Sequence, residues 1–290
     1  MSDTVASLRR KIDGAADLQS VVRTMKALAG ASIGQYERSV AAIADYSRIV
    51  DQGLSLCLRD SGPATAMQRT AADGIGAVVF GSDQGLVGAF NDVVAAHAVD
   101  IFTACPDKPR IWVIGERVHE RLADTTLPVI GSFPVPLSVT AIAPLVGRIL
   151  VAYEARRDRG AVDELHIIHN RPRPEGVYAP VSLKLLPLDE TWRQALSQRP
   201  WPAGNLPEIL GSDSATLGAF LREYLFVALF RACAESLASE NAARLAAMER
   251  ADKNIDDLLL ALNSDFRRLR QTGIDEELFD VVAGYEALTA

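Results

Sequence analysis

The chain has 290 residues, 49% of them apolar and 23% charged, and its formal net charge is −7. This is the composition of a folded protein with room for one large domain or two smaller ones. The acidic balance argues against nucleic-acid binding, because proteins that bind phosphate backbones carry basic patches. The three cysteines have no metal-like spacing and are expected to be buried or half-buried thiols; they are Cys57, Cys105 and Cys233.

Neither a secretory signal nor a membrane-spanning helix is predicted. The opening residues, MSDTVASLRRKIDGA, lack the apolar core of a signal peptide. No apolar run reaches the ~18 residues that a membrane span needs. The sequence therefore indicates a protein of the cytosol or of the cytosolic side of a larger assembly.

A long helix is predicted from about Val5 to Leu58. Apolar or small residues recur there at steps of three or four, among them Leu8, Leu18, Val22 and Leu54. The mean step of about 3.5 residues is the period of a left-handed coiled coil. A single helix of this length is not stable alone in water. It therefore needs a partner along most of its length.

The middle of the chain is predicted to be an α/β domain. Short apolar segments typical of strands occur at 75–81, 110–115, 127–133, 164–170 and 181–188. Helical patterns separate the first four strands, at roughly 85–104, 116–124 and 138–158. Alternating strands and helices imply a mostly parallel sheet covered by helices. A Pro-rich turn, RPRPEGVYAP, precedes the last strand, which we expect to return antiparallel.

A second helical ladder runs from Leu217 to Leu269, with Ser214 or Asp213 as its N-cap. Pairing the two ladders with each other is the simplest way to bury both. The predicted fold is a long antiparallel coiled coil of N- and C-terminal helices, residues 1–59 and 211–290. A central Rossmann-like α/β domain with a mostly parallel sheet occupies residues 60–210.

One stretch of the second ladder, ESLASENAARLAAMERADKN, has strong helix formers but few large apolar residues. Its small residues predict a close approach to the first helix. Four side chains lie on or beside the seam: Asn241, Arg244, Met248 and Asp252. The polar ones either fix the register of the coiled coil or face a cavity of another protein in which the helix slides. The pattern alone favours register.

The sequence GSDQGLVGAFN, Gly81 to Asn91, follows a predicted strand and precedes a helix, where phosphate-binding loops lie. Its glycines are spaced G-x3-G-x2-G, however, and it has neither the dinucleotide fingerprint nor a P-loop lysine. A structural or docking turn is therefore favoured over a nucleotide site.

No catalytic, cofactor or metal site is predicted. Among the four histidines, His166 and His169 lie three apart in a predicted strand and so face opposite sides of the sheet. They make a poor metal pair. Neither a Ser-His-Asp order nor a metalloprotease helix occurs, so the chain is expected not to be an enzyme by itself.

Four stretches resemble the gamma subunit of F-type ATP synthases. RTMKALAGAS is similar to that family's N-terminal helix motif, and GSDQGLVGAFN to its Ser/Thr-Asp-Arg-Gly-Leu-Cys-Gly-Gly loop. ESLASENAARLAAMERADKNI and RQTGIDEELFDVVAG resemble its two C-terminal blocks. Five residues depart from the pattern and indicate a divergent branch, such as the alternative F-type ATPases of some bacteria: Leu28, Ile33, Gln84, Val87 and Ala89.

The resemblance implies a non-catalytic rotor subunit. Its terminal helices would form a shaft inside a hexameric ring of α and β subunits, and its α/β domain would lie against the ε subunit and the ring of c subunits. Ion flow would turn the shaft, which favours a different state of each β subunit and so couples rotation to ATP synthesis or hydrolysis. The complex would lie on the cytoplasmic face of a bacterial plasma membrane. No cofactor, nucleotide or nucleic acid is expected on this chain.

The same resemblance assigns contact residues. Positions that the family uses near moving loops of the β subunits are matched by Met25, Lys26, Arg270 and Gln271. The loop of the α/β domain is matched by Ser82, Asp83, Gln84 and Gly85. Because much of the shaft would face other subunits, the polar seam residues are then expected in sliding contacts, and the apolar last turns, FDVVAGYEAL, in an apolar sleeve of the ring.

Two rival hypotheses come from other classes of protein. One is a free-standing coiled-coil adaptor with a Rossmann-like module. The other is an α/β enzyme whose glycine loop binds a nucleotide.

Overall fold

The computed structural model describes residues 4–60, 74–103, 105, 108–159, 162–174, 177–188, 190–199, 201 and 212–289. The chain divides into two compact units: a helical unit, Met1–Ala29 with Leu245–Ala290, and an α/β unit, Gly30–Arg244. The helices α1 (Val5–Asp60) and α6 (Asp213–Thr289) contribute to both. The unit boundaries fall within these two helices, and the division into residues 1–59, 60–210 and 211–290 stays a prediction. The loop-like run predicted after Asp60 and most of the extended stretch before Ser212 lie outside the described residues.

The α/β unit contains one sheet in the described part of the chain, with strand order β3-β2-β1-β4-β5. Its strands are β1 (Ile75–Phe80), β2 (Arg110–Ile114), β3 (Val129–Phe133), β4 (Glu164–Pro172) and β5 (Tyr178–Leu186). The first four run parallel, and β5 pairs antiparallel with β4. Continuous apolar runs such as IGAVVF form these strands because both faces of a parallel sheet are buried. The predictions of a mostly parallel sheet and of an antiparallel last strand are confirmed.

Helices cover both faces of the sheet. The sheet is covered by α2 (Phe90–Thr103), α3 (Glu116–Ala123) and α4 (Ile142–Arg157), together with part of α6. A further helix, α5 (Glu190–Ser197), packs on α1 and α6. On one face Val78 and Ile167 pack in a core with α4 and α6. On the other face Val79 and Ile168 pack in a core with α2 and α3. This alternation along each strand follows from the period of two residues in a β-strand.

The short helix α5 was not predicted from the sequence. Its eight residues, ETWRQALS, are too few to show a helical period clearly. Trp192 and Leu196 on α5 pack with Val50 and Leu54 of α1 and with Leu217 of α6. This helix is therefore stabilised by tertiary packing and is not marked by a local sequence pattern.

Helices α1 and α6 run antiparallel within the α/β unit. The hydroxyl of Tyr46 on α1 donates to Glu223 on α6, at 2.9 Å. The Phe220 ring of α6 packs directly on Gly53 of α1, where a Cβ would lie 2.1 Å from a ring carbon. The N-cap of α6 is Ser212, whose hydroxyl accepts from the amide of Ala215 at 3.2 Å. The predicted N-caps, Asp213 and Ser214, are therefore wrong.

Three of the sequence predictions about single side chains are confirmed. Cys57 and Cys233 are buried, Cys105 is half-buried, and none of them forms a disulfide. His166 and His169 face opposite sides of the sheet, since His166 stacks edge-on against Phe102 of α2 whereas His169 bonds to α6.

Two glycines of the α/β unit allow a paired test of this packing. Gly115 has a φ of +110°, and a Cβ there would lie 2.8 Å from the backbone of Ser82. We expect Gly115→Ala to lower the free energy of unfolding by about 3 kcal/mol, through backbone strain and overpacking. Gly147 lies in α4, and a Cβ added there would meet no atom within 4 Å. Gly147→Ala should therefore raise stability by about 0.5–1 kcal/mol. Urea unfolding of the purified chain measures both, and equal effects of the two changes would contradict the packing described.

Candidate functional site

The glycine loop, residues 81–91, leaves the carboxyl end of β1 and enters α2. Ser82 is fully buried: its amide donates to the side chain of Asn91 at 3.0 Å, and the Asn91 amide group donates to the Ser82 hydroxyl at 2.8 Å. The Ser82 hydroxyl in turn donates to the carbonyl of Gln84 at 2.8 Å. The loop is thus closed by its own polar groups.

Asp83 connects the glycine loop to two neighbouring segments. One carboxylate oxygen accepts from the amide of Glu116 at the start of α3, at 3.0 Å, and the other accepts from the amide of Val135 after β3, at 2.9 Å. A carboxylate at a helix N-terminus is favoured because it satisfies an otherwise unpaired amide. Asp83 therefore has a structural role, whereas Gln84 and Gly85 are exposed.

The exposed tip of the loop borders a cleft of about 440 Å³. Leu86 and Gly88 adopt positive φ angles, 63° and 60°, and the side chain of Leu86 is 60% exposed. A positive φ is uncommon outside glycine. The cleft is also lined by ion-paired charges, with Arg121 bonded to Asp92 at 2.8 Å. The surface that the loop presents is polar around one apolar side chain.

The position at which a doubly wound sheet commonly binds a ligand lies beside β1 and β4, where the strand order reverses. In this chain α6 packs there. Asn170, at the end of β4, donates to the carbonyl of Phe90 at 2.9 Å, and its own carbonyl accepts from the hydroxyl of Ser239 at 3.0 Å. Ala243 of α6 packs with Val87 and Phe90 of the glycine loop. The chain's own helix thus occupies the usual ligand position.

A buried carboxylate cluster, which we name the carboxylate clamp, joins β4 to α6. Glu235 of α6 accepts three charge-assisted bonds, from His169 Nε2 at 2.8 Å, Arg171 Nε at 2.7 Å and Arg231 Nε at 2.8 Å. The Glu235 side chain is 5% exposed and His169 is fully buried. Because a carboxylate only accepts, His169 carries its proton on Nε2, and its Nδ1 has no partner among the described residues.

The electrostatics of the clamp follow from burial and from its cations. Burial would raise the pKa of Glu235, but the bonds from His169, Arg171 and Arg231 outweigh it and lower that pKa to about 2. Burial lowers the pKa of His169 against the opposing effect of Glu235. At neutral pH the clamp therefore holds an ionised carboxylate and a neutral imidazole.

The clamp was not predicted from the sequence, because helical periodicity assigned the residues from Glu235 onward to a helix–helix seam. The signal was present in β4, where His169 and Arg171 lie two apart and so share one face of the strand. The buried face of this part of α6 includes Glu235, Ser236, Ser239 and Glu240. The large apolar side chains are few because this face is polar and bonds to β4 through Glu235 and Ser239.

Asn241 and Arg244, for which sliding contacts are predicted, both bond within this chain. Asn241 is 9% exposed, and its amide group donates to the carbonyl of Leu237 at 2.8 Å. Arg244 is mostly buried and donates to the carboxylate of Glu240 at 2.7 Å. Burial raises the pKa of Glu240, with Arg244 opposing this effect and Asp83 adding to it. These polar groups are engaged within the α/β unit.

In the helical unit, Asp252 of α6 bonds to two side chains of α1. Its carboxylate accepts from Arg23 at 3.0 Å and from Gln19 at 3.1 Å, both on α1. Gln19 is 9% exposed, whereas Leu18, which the ladder predicted in the seam, is 55% exposed. Polar pairs at seam positions fix register in coiled coils, and the register interpretation of Asp252 stays a prediction.

The predicted β-contact residues lie in two separate places of the helical unit. Met25 packs with Val22 and Met248, and Lys26 lies 3.7 Å from Glu249. Arg270 and Gln271 are exposed on α6. They follow Glu249 by roughly 30 Å along the helix axis, at about 1.5 Å per residue. The four residues therefore do not form one cluster.

Among the described residues, no group of His, Cys, Asp and Glu side chains is arranged to hold a metal ion. None of the helices in that part of the chain combines the length and apolar character needed to cross a membrane.

The clamp predicts how stability changes in acid. Glu235 has a lower pKa in the folded chain than the ordinary 4.5, so between pH ~4.5 and ~2 the folded chain binds fewer protons than the unfolded chain, and stability falls with pH. The buried His169 acts in the same direction below its ordinary pKa of 6.5. We expect Glu235→Gln to remove about 2 kcal/mol of the pH dependence of stability between pH 7 and pH 3. Urea unfolding of the wild-type chain and of Glu235→Gln from pH 7 to pH 3 measures this. The same dependence of the unfolding free energy on pH in the two proteins would contradict it.

Comparison with known proteins identifies the family. A family model described as ATP synthase matches residues 4–288. The ATP synthase gamma chain of Frankia casuarinae is 26% identical over 100% of this chain and 99% of its own length. The gamma chain of Salinispora tropica is 27% identical over 100% and 98%.

A solved structure shows the same fold. The Euglena gracilis mitochondrial ATP synthase assembly of OSCP, F1 and c-ring contains a chain with a TM-score of 0.59 and 18% identity, covering 98% of this chain and 94% of that one. Because the family model spans nearly the whole sequence, the chain belongs to the family of ATP synthase gamma chains.

Proposed function

We propose that the chain is the central-stalk rotor subunit of an F-type ATP synthase, which couples rotation driven by transmembrane ion flow to ATP synthesis or hydrolysis on other subunits. The observation that carries this proposal is the family match over residues 4–288. A solved chain of the same fold comes from the central stalk and c-ring of the Tetrahymena thermophila mitochondrial enzyme, with a TM-score of 0.55, 18% identity and coverage of 80% of this chain and 99% of that one.

The helical unit supports a partner that surrounds α6. The terminal segment, residues 274–285, carries five apolar side chains that are more than half exposed: Ile274, Leu278, Phe279, Val281 and Tyr285. Exposed apolar clusters of this kind mark interaction surfaces. In the proposed assembly this segment lies in an apolar sleeve of the ring of α and β subunits.

The contact residues given by the family resemblance form part of this proposal. Arg270 and Gln271 would meet the moving loops of the β subunits from their exposed position on α6. Met25 and Lys26 would contact the β subunits at a second place in the helical unit, near Met248 and Glu249. Gln84 and Gly85, at the exposed tip of the glycine loop, would be the part of the α/β unit that touches a neighbouring subunit. The ε subunit and the c-ring complete the set of proposed partners.

The α/β unit supports a non-catalytic role. The glycine loop is closed by Ser82, Asp83 and Asn91, and α6 packs at the usual ligand position of the sheet. Nucleotide turnover would then belong to the β subunits, at the cytoplasmic face of a bacterial plasma membrane where ion flow drives the rotor.

Co-expression with the ATPase α and β subunits encoded in the same genome tests the rotor function. We expect a tagged chain to co-purify with both in a complex that hydrolyses ATP, because the terminal segment needs a surrounding surface. Isothermal titration of the isolated chain with ATP and with NAD should show no binding. A chain that purifies alone, or one that binds either nucleotide tightly, would refute the proposal.

The exposed Arg270 offers a test of one proposed contact. Arg270→Ala should leave the unfolding free energy of the chain within about 0.5 kcal/mol, as is usual for exposed positions. It should lower ATP-driven ion pumping per ATP hydrolysed by the assembled complex. Arg267→Ala, a change three residues earlier on the same helix, is the control. Equal losses of pumping for the two variants would show that the contact is not assigned to Arg270.

A further inference from the structure

Three consecutive residues at the carboxyl end of β4 all bond to helices. His169 and Arg171 donate to the same oxygen of Glu235, at 2.8 Å and 2.7 Å. Asn170, between them, accepts through its backbone carbonyl from the hydroxyl of Ser239 at 3.0 Å, and Ser239 shares this hydrogen with the backbone carbonyl of Glu235 at 2.9 Å. The end of one strand is thus fixed to about one turn of α6, because Glu235 and Ser239 are four residues apart.

The character of these contacts differs from the apolar packing around them. Hydrogen bonds weaken steeply when their angle is distorted, and bonds to an ionised group are the stronger ones. Burial of apolar surface is non-directional, so it resists separation of two elements more than it resists rotation of one on the other. In the described part of the chain, the clamp is where buried, charge-assisted bonds join the sheet to α6.

We propose that the carboxylate clamp holds α6 against turning or sliding on the sheet when torque passes through the chain, and that Glu235 and Arg171 are the positioning residues. This inference rests on the rotor function proposed above. In that function the α/β unit receives torque from its partners, and α6, which continues to Thr289, delivers it to the ring. A loose joint at Glu235 would let the sheet turn without the helix and would waste part of each rotation.

The clamp contains its own matched control. Arg171 and Arg231 both donate through Nε to Glu235, at 2.7 Å and 2.8 Å, and their side chains are 37% and 52% exposed. Arg231 lies on α6 itself, four residues before Glu235, whereas Arg171 lies on β4. Replacing either arginine removes one of the positive charges that bond to the Glu235 carboxylate. Only the change at Arg171 removes a bond between the sheet and the helix.

The experiment uses the complete complex in sealed membrane vesicles. ATP hydrolysis and ATP-driven ion pumping are measured together for the wild-type chain and for Glu235→Gln, Arg171→Gln and Arg231→Gln, per assembled complex. We expect the ratio of pumping to hydrolysis to fall about threefold or more for Glu235→Gln and Arg171→Gln. The ratio for Arg231→Gln should stay close to that of the wild type.

The outcomes separate this inference from the function on which it rests. Equal ratios for Arg171→Gln and Arg231→Gln would overturn the positioning role, since charge alone would then explain both. A lower yield of complex with an unchanged ratio would also overturn it and leave the clamp a purely structural contact. Failure of the wild-type chain to enter any complex would instead refute the rotor function, and this inference with it.

Discussion

One buried negative charge organises the α/β unit of this protein. Glu235 lies where α6 crosses the end of β4, with its side chain almost entirely removed from water. An isolated carboxylate in such a place would be very costly. The cost is offset because His169, Arg171 and Arg231 each donate to it. The position of β4 beneath α6, the tautomer of His169 and the low apolar content of this helix face all depend on that arrangement.

Much of the fold was predictable from local pattern, because most elements are marked either by an apolar run or by a repeat of apolar residues. The strand β1 is a continuous apolar run, and the heptad steps of α1 place residues such as Leu8, Val22 and Leu54 in buried positions. Predictions failed where tertiary contacts decide. Helix α5 exists because Trp192 packs on its neighbours, and Gln19 takes the seam position expected for Leu18 because Asp252 bonds to it.

The candidate site was predictable only in part. The spacing of glycines favoured a structural or docking turn over a nucleotide site, and the bonds of Asp83 and Asn91 show how this turn is held. The carboxylate clamp could not be found from helical periodicity, since its members come from β4 and α6 and their meeting depends on the topology of the sheet. For the same reason, the small residues that follow Glu235 suggested helix–helix packing when part of that surface, such as Ser239, meets a strand.

The exposed terminal segment affects the solubility of the chain before it is assembled. Phe279 and Val281 are 71% and 69% exposed, and side chains of this kind on separate copies attract one another in water. A newly made chain that is in excess over its partners is therefore more prone to self-association than a chain whose terminal segment is covered. Balanced synthesis of the subunits, or prompt capture of α6, would be a condition for keeping this protein in solution.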